Sequence, residues 1–297
     1  MQIGILAKTF VRPTVQQNLD AVSDHGLGCV QYNLVCAGLP TLPDAVDAQV
    51  CATIRKEMTA RGIKMAAVSG TFNIIHPDKR LLDQSMRRLG VLASACAALG
   101  TSLITLCAGT CDPDDMWRHH PDNDGPGAWR DLLASMQRIV AIAEEHQVNV
   151  AVEPEINNVV SSAPNARRLL DEIGSPRLRI VLDGANLLTL SNADDMPDVL
   201  AEACDLLGPQ ITIAHAKDVV ITNGQIQHVA AGAGVLDYEN YVTRLRGCGF
   251  DGPLVLHGLK ESEVAGSLAY VHERLGSTSG SMTVRESPGG QPASPPS

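Results

Sequence analysis

Four short apolar runs in this sequence each stop at a side chain that can ligate a metal ion or carry a proton. Glu153 closes Val148-Asn-Val-Ala-Val-Glu, Asp183 closes Leu178-Arg-Ile-Val-Leu-Asp, His215 closes Ile211-Thr-Ile-Ala-His, and His257 closes Pro253-Leu-Val-Leu-His. Carboxylates and imidazoles together suit Mn²⁺, Co²⁺, Zn²⁺ or, less well, Mg²⁺. An ion so held, with open positions, polarises a carbonyl and stabilises a developing enediolate. Isomerisation of an α-hydroxycarbonyl needs that and a base to move one proton. A single strand-end carboxylate is often only a helix cap, and a single histidine is more often a satisfied core or surface residue. Four of them, spaced 30, 32 and 42 residues apart, fit one βα unit per step and so a common rim.

The elements that must position them alternate along the whole chain. Apolar, β-branched runs are predicted as strands at Gln2 to Ala7, Gly28 to Tyr32, Lys64 to Ser69, Ser102 to Cys107, Asn149 to Glu153, Arg179 to Asp183, Gln210 to His215 and Pro253 to His257. Between them, helical periodicity covers Asp44 to Arg61, Asp78 to Leu99, Gly127 to His146, Ala163 to Ile173, Asp195 to Leu207, Tyr238 to Cys248 and Glu261 to Leu275. The rhythm predicts an α/β fold, a single (β/α)₈ TIM barrel over residues 1–275. An open dinucleotide-binding sheet is disfavoured, because no Gly-x-Gly-x-x-Gly turn follows the first strand; Gly232-Ala-Gly234 reads as a turn before a helix at Asp237. Residues 276–297 are rich in Gly, Ser and Pro and are expected to form a disordered tail. The long polar segment Ala108 to Pro126, with Trp117, His119 and His120, follows the fourth strand and is expected over the catalytic mouth, where such loops act as lids. Trp129 reads as helix packing.

Composition excludes several classes. A formal charge of -10 disfavours nucleic acid, which needs a basic face. No apolar stretch is long enough to span a membrane, and the first ten residues lack a signal-peptide pattern, so the expected location is the cytoplasm. The eight scattered cysteines imply no disulfide framework. The expected partner is a small carbohydrate, with homo-oligomerisation left open.

The stretches Val152-Glu-Pro-Glu-Ile-Asn, Val181-Leu-Asp-Gly-Ala-Asn-Leu, His215-Ala-Lys-Asp and Gly232-Ala-Gly-Val-Leu-Asp-Tyr together resemble the xylose isomerase-like barrel family of hydroxypyruvate isomerases, ketose 3-epimerases, inosose dehydratases and endonuclease IV. The resemblance implies that Glu153, Asp183 and His215 ligate one divalent ion, with Mn²⁺ or Co²⁺ foremost, and that Glu153 doubles as an acid/base group. It breaks at the last strand. The family has Glu there, also the second acid/base of the epimerases, whereas this chain has His257, which must ligate the ion or act as the second base. Glu261 reads as the start of the last helix. An endonuclease IV-like nuclease shares Glu153, Asp183, His215 and a histidine like His228, but the histidine expected three residues after Asp183 is Asn186, the position two before His228 is Ile226, and the last-strand Glu is again missing. The implied activity is a metal-dependent sugar isomerase or epimerase. The alternatives are a dehydratase or lyase acting on an inosose or 3-oxo sugar, and a sugar-binding barrel without turnover. Around the ion, His76, Glu155, Asn186, Lys217 and His228 are candidate substrate-binding groups; His76 alternatively caps the helix at Asp78, and Asp218 alternatively pairs with Lys217.

Overall fold

The computed structural model describes residues 1–277, and the remainder of the expected tail, from 278 onward, lies outside them. The strands are β1 (Gln2–Leu6), β2 (Cys29–Tyr32), β3 (Lys64–Ser69), β4 (Leu103–Cys107), β5 (Asn149–Glu153), β6 (Leu178–Asp183), β7 (Ile211–Thr222), β8 (Gln225–Ala230) and β9 (Pro253–Leu256). The helices are α1 (Val15–Asp24), α2 (Ala48–Ala60), α3 (Lys79–Leu99), α4 (Pro126–Glu145), α5 (Ala163–Ile173), α6 (Met196–Leu207), α7 (Tyr238–Gly247) and α8 (Val264–Ser277). β1 to β7 pair in order, all parallel; β7 pairs with β9 and β9 with β1, which closes an eight-stranded barrel. β8 stands outside the ring, antiparallel to the outer half of β7.

Local chemistry accounts for the boundaries. Asp47, Asp78, Ser162 and Asp237 each accept a backbone N–H from the first turn of α2, α3, α5 and α7, filling a donor that a helix start leaves open. Because Asp47 is the cap, α2 begins at Ala48, four residues later than the periodicity suggests. α1, which has only a thin apolar stripe, escaped the sequence reading; its buried Asn18 donates to the carbonyls of Ala7 and Phe10 and ties it to the loop after β1. β7 also runs seven residues beyond His215, into a hairpin turned at Asn223 and Gly224, both at positive φ.

Side chains alternate along each strand, so every second one points into the barrel. Leu6, Ala67, Leu103, Ala151, Val181, Ile213 and Val255 form an apolar cluster of their own, separate from the larger core between barrel and helices. Two residues farther along, the inward positions become Ser69, Thr105, Glu153, Asp183, His215 and His257. The apolar layer is therefore a floor, and the reactive side chains stand on it at the C-terminal rim. Gly258 ends β9 at φ +68, and a Cβ there would come within 2.9 Å of the Lys217 side chain, so glycine both turns the chain and leaves room for that lysine.

Candidate metal centre

β5, β6, β7 and the residue after β9 deliver Glu153, Asp183, His215 and His257 to one point. One ligand atom from each lies within 4.8 Å of all the others. The register makes this unavoidable: Asp183 and His215 are direct cross-strand partners, and the His257 N–H donates to the Ala216 carbonyl at 3.1 Å. His215 Nδ1 stands 3.1 Å from Glu153 Oε1 and 3.8 Å from Asp183 Oδ2, and His257 Nδ1 is 3.6 Å from that same oxygen. The two imidazoles lie 4.6 Å apart, centroid to centroid.

The donor set fits a divalent cation. Asp183 Oδ2 and His257 Nδ1 are fully buried yet have no hydrogen-bond partner, an arrangement that costs free energy unless something else engages them. Burial alone would push the Asp183 carboxyl up, but the Lys217 ammonium and both imidazoles outweigh it and hold the group well below the ordinary range. Glu153 is held down in the same way, burial opposed chiefly by His215. His257 is lowered, first by burial and then by His215, against the pull of Asp183 and Glu153, which is the direction that favours the neutral ring. Two carboxylates and neutral nitrogen are the protonation states that ligation requires.

The other expected residues divide. Lys217, inward like His215 and buried, lies 3.3 Å from Asp183 Oδ2 and donates to Asn186 Oδ1. Asn186 in turn donates to Glu153 Oε1 at 2.8 Å, so its amide braces the cluster from within the chain. Burial pushes Glu155 up to about 7 against the pull of Lys217, and this half-buried carboxyl can hold or release a proton near neutrality. The alternative pairing of Asp218 with Lys217 does not occur. Asp218 points to the opposite face, where it accepts the backbone N–H groups of Val219, Gly232, Gly234 and Leu236 at 2.8–3.1 Å. His76 takes the capping role: its Nδ1 accepts the Asp78 N–H at 3.0 Å. His228, on β8, borders with His257 a cleft of about 890 Å³ between the β1–α1 loop and the β9–α8 loop. Glu261 opens the turn before α8 and pairs with Arg12 across that cleft, away from the four ligands.

The segment expected as a lid is pinned down. Asn73, Asn123 and Asn158 are all buried, and their amides hold the backbone of Gly109, Thr110, Cys111, Asp112 and Met116. Gly109 is at φ +76, with Asn73 filling the place of its missing Cβ. His119 lies exposed on it, while the His120 ring caps the turn at Pro121. Trp129 packs in the core, its N–H on Glu172 and Arg168 over its ring.

Three inward residues of the barrel were missed in the sequence. Gln31 lies with its Oε1 3.0 Å from His215 Nε2, while its Nε2 donates to Ser69 Oγ and Thr105 Oγ1 at 3.1 and 3.0 Å. A polar residue inside an otherwise buried strand run, Cys-Val-Gln-Tyr, was the available signal.

Comparison with known proteins agrees with this architecture. A family model described as a xylose isomerase-like TIM barrel matches residues 19–273. Solved structures with the same fold include the 3-keto-D-glucoside 4-epimerase YcjR from E. coli, at 17% identity and TM-score 0.70 over 92% of this chain and 99% of that one. A probable 3-DHS dehydratase from Bacillus anthracis, AsbF, matches at 13% identity and TM-score 0.70 over 92% and 99%. IolI, crystallised with a bound zinc atom, matches at 15% identity and TM-score 0.71 over 94% and 99%. Among curated proteins, none matches the sequence significantly.

Proposed function

We propose a function from one premise: this chain belongs to the xylose isomerase-like TIM barrel family. It is a divalent-metal-dependent isomerase of a small sugar or hydroxy-keto compound, shifting a proton between adjacent carbons through an enediolate. The observation that carries this reading is the convergence of four ligand atoms within 4.8 Å, two of them buried without a hydrogen-bond partner, at the rim of a cleft able to hold a ligand. A bound ion would supply Lewis acidity at a substrate carbonyl. The chain's own groups do the rest. Glu153, Asp183, His215 and His257 would hold the ion, and Asn186 steadies Glu153. Oε1 of Glu153 accepts from Asn186 at 2.8 Å, which leaves Oε2 to carry the proton. Lys217, held cationic by the acids around it, favours negative charge developing above Asp183.

Within the isomerase and epimerase pair, the geometry favours a one-sided shuttle. Inverting a stereocentre needs a base on each face, yet Glu153 and Glu155 both come from the end of β5. The last strand offers His257, whose Nδ1 points at the other ligands. A proton lifted and returned on one face gives aldose–ketose interchange. The same one-sided site suits elimination of a β-leaving group, the second reading, favoured by the missing last-strand carboxylate and by the likeness to AsbF.

Mn²⁺, Co²⁺ and Zn²⁺ are the metals to test first, in a product-mass screen over ketoses, hydroxy-keto acids, inososes and 3-oxo sugars. Unchanged mass with solvent deuterium on carbon supports isomerisation, and loss of water or an alcohol supports elimination. Turnover that survives both a chelator and Glu153→Gln rules out both. A small carbohydrate partner and a cytoplasmic setting complete the proposal.

A further inference from the structure

Neutral imidazole carries one proton, and the two nitrogens of His215 face different demands. Nδ1 is turned to Glu153 and Asp183, inside the ligand cluster. Nε2 is 3.0 Å from Gln31 Oε1, on the barrel floor, in a ring that is 1% exposed. For Nδ1 to offer its lone pair to a cation, the proton must sit on Nε2, and Nε2–H then needs an acceptor that water cannot provide there.

We propose that Gln31 is the positioning residue that selects this tautomer and so makes Nδ1 of His215 a metal ligand. The amide is itself oriented. Its Nε2 has two hydroxyls, Ser69 Oγ and Thr105 Oγ1, as acceptors, so the oxygen is the end presented to the imidazole. The arrangement spans four strands, β2, β3, β4 and β7, with Gln31 reaching up from the floor in register with Leu6 and Ala67. An outer partner of this kind fixes ring orientation and raises ligand basicity, and its loss commonly costs about 10–100-fold in metal affinity. A neutral amide also leaves the site without the extra negative charge that a carboxylate there would bring.

The inference rests on the metal reading of the cluster and on no particular reaction. The test is Zn²⁺ affinity by calorimetry on the full chain, native and with Gln31→Leu, Gln31→Glu and Ser69→Ala/Thr105→Val. Gln31→Leu is expected to weaken Zn²⁺ by about 10–100-fold. Gln31→Glu keeps an acceptor for Nε2–H, with the hydroxyls turned to donate, and is expected to bind within a few-fold of native. The double variant, which leaves Gln31 free to rotate, falls between. In Zn²⁺-loaded native protein, nitrogen-15 NMR should find a slowly exchanging ring proton on His215 Nε2, absent in Gln31→Leu. A merely structural role predicts equal losses for Leu and Glu and no tautomer signature, and that result overturns the proposal. Native-like affinity in Gln31→Leu overturns it alone, whereas native protein that fails to bind Zn²⁺ overturns it together with the metal reading.

Discussion

At the residue scale the cluster is a balance of buried charges, and Lys217 is the member whose removal tests it. Its ammonium is the nearest cation to Asp183 Oδ2 in the metal-free chain, 3.3 Å away. Removing one partner of a buried ion pair typically costs about 3–5 kcal/mol, because the other charge is left without compensation. Lys217→Met should therefore destabilise the metal-free protein by about that amount in urea, and Zn²⁺ should restore more stability to the variant than it adds to the native chain, since the ion replaces the lost charge. Equal Zn²⁺ increments in the two proteins would mean that lysine and metal do not share Asp183. The ligands themselves were legible because each is the inward residue two places after a small apolar one: Ala151 and Glu153, Val181 and Asp183, Ile213 and His215, Val255 and His257. Gln31 sits lower, in register with the floor residues Leu6 and Ala67, and is uncharged, so only its inward phase marked it.

Besides α1, the element that escaped the sequence reading is the β7–β8 hairpin, and its physical basis explains why. The turn signal Asn223-Gly224 is present, but β8 is mostly exposed and polar, with no apolar alternation to give it away. What holds it is Asp218, whose two oxygens take four backbone N–H groups and lash β7 to the turn before α7. The His-Ala-Lys-Asp and Gly-Ala-Gly stretches thus have a structural share as well as a chemical one: His215 and Lys217 face the site, and Asp218 and the glycines build its wall. Each buried donor left unsatisfied costs about 1–3 kcal/mol, so Asp218→Ala should lose about 3 kcal/mol or more in urea unfolding, and Asp218→Asn, with one oxygen kept, less. Hydrogen exchange should localise the damage to the amides of Gly232, Gly234 and Leu236; protection unchanged there would contradict the assignment. The segment after β4 makes the opposite case. Its polar composition suggested a lid, yet three asparagines clamp it, Asn73 and Asn158 from neighbouring loops and Asn123 from the segment itself, an arrangement that no local pattern reveals. Asn123→Ala, which frees Thr110 Oγ1 and the Cys111 N–H together, should speed amide exchange across residues 108–126. Zn²⁺ affinity should stay within about twofold, since none of the four ligands touches that clamp.

For the whole molecule, the barrel is legible because the βα units repeat one rule, an apolar strand followed by an amphipathic helix, while closure itself depends on pairing between β1 and β9, whose partners are 251 residues apart. The four ligands come from four successive staves of that ring, so an ion bound to them ties β5, β6, β7 and β9 into one unit. Binding to the native state alone stabilises it by about 2.7 kcal/mol at a hundredfold excess over the dissociation constant. In a barrel somewhat above 250 residues, each kcal/mol shifts the melting point by about 2–4 °C, so saturation should raise it by about 5–10 °C. No helix among the described residues is long and apolar enough to cross a membrane. A chelator should return the protein to the lower transition. Asp183→Asn and His257→Ala should abolish the shift, whereas His76→Ala, whose ring accepts the Asp78 N–H just ahead of α3, should leave the increment intact on a lower baseline. If chelated and Zn²⁺-saturated native protein melt together, the four side chains converge without gripping anything, and the barrel is a scaffold for some other use of its mouth.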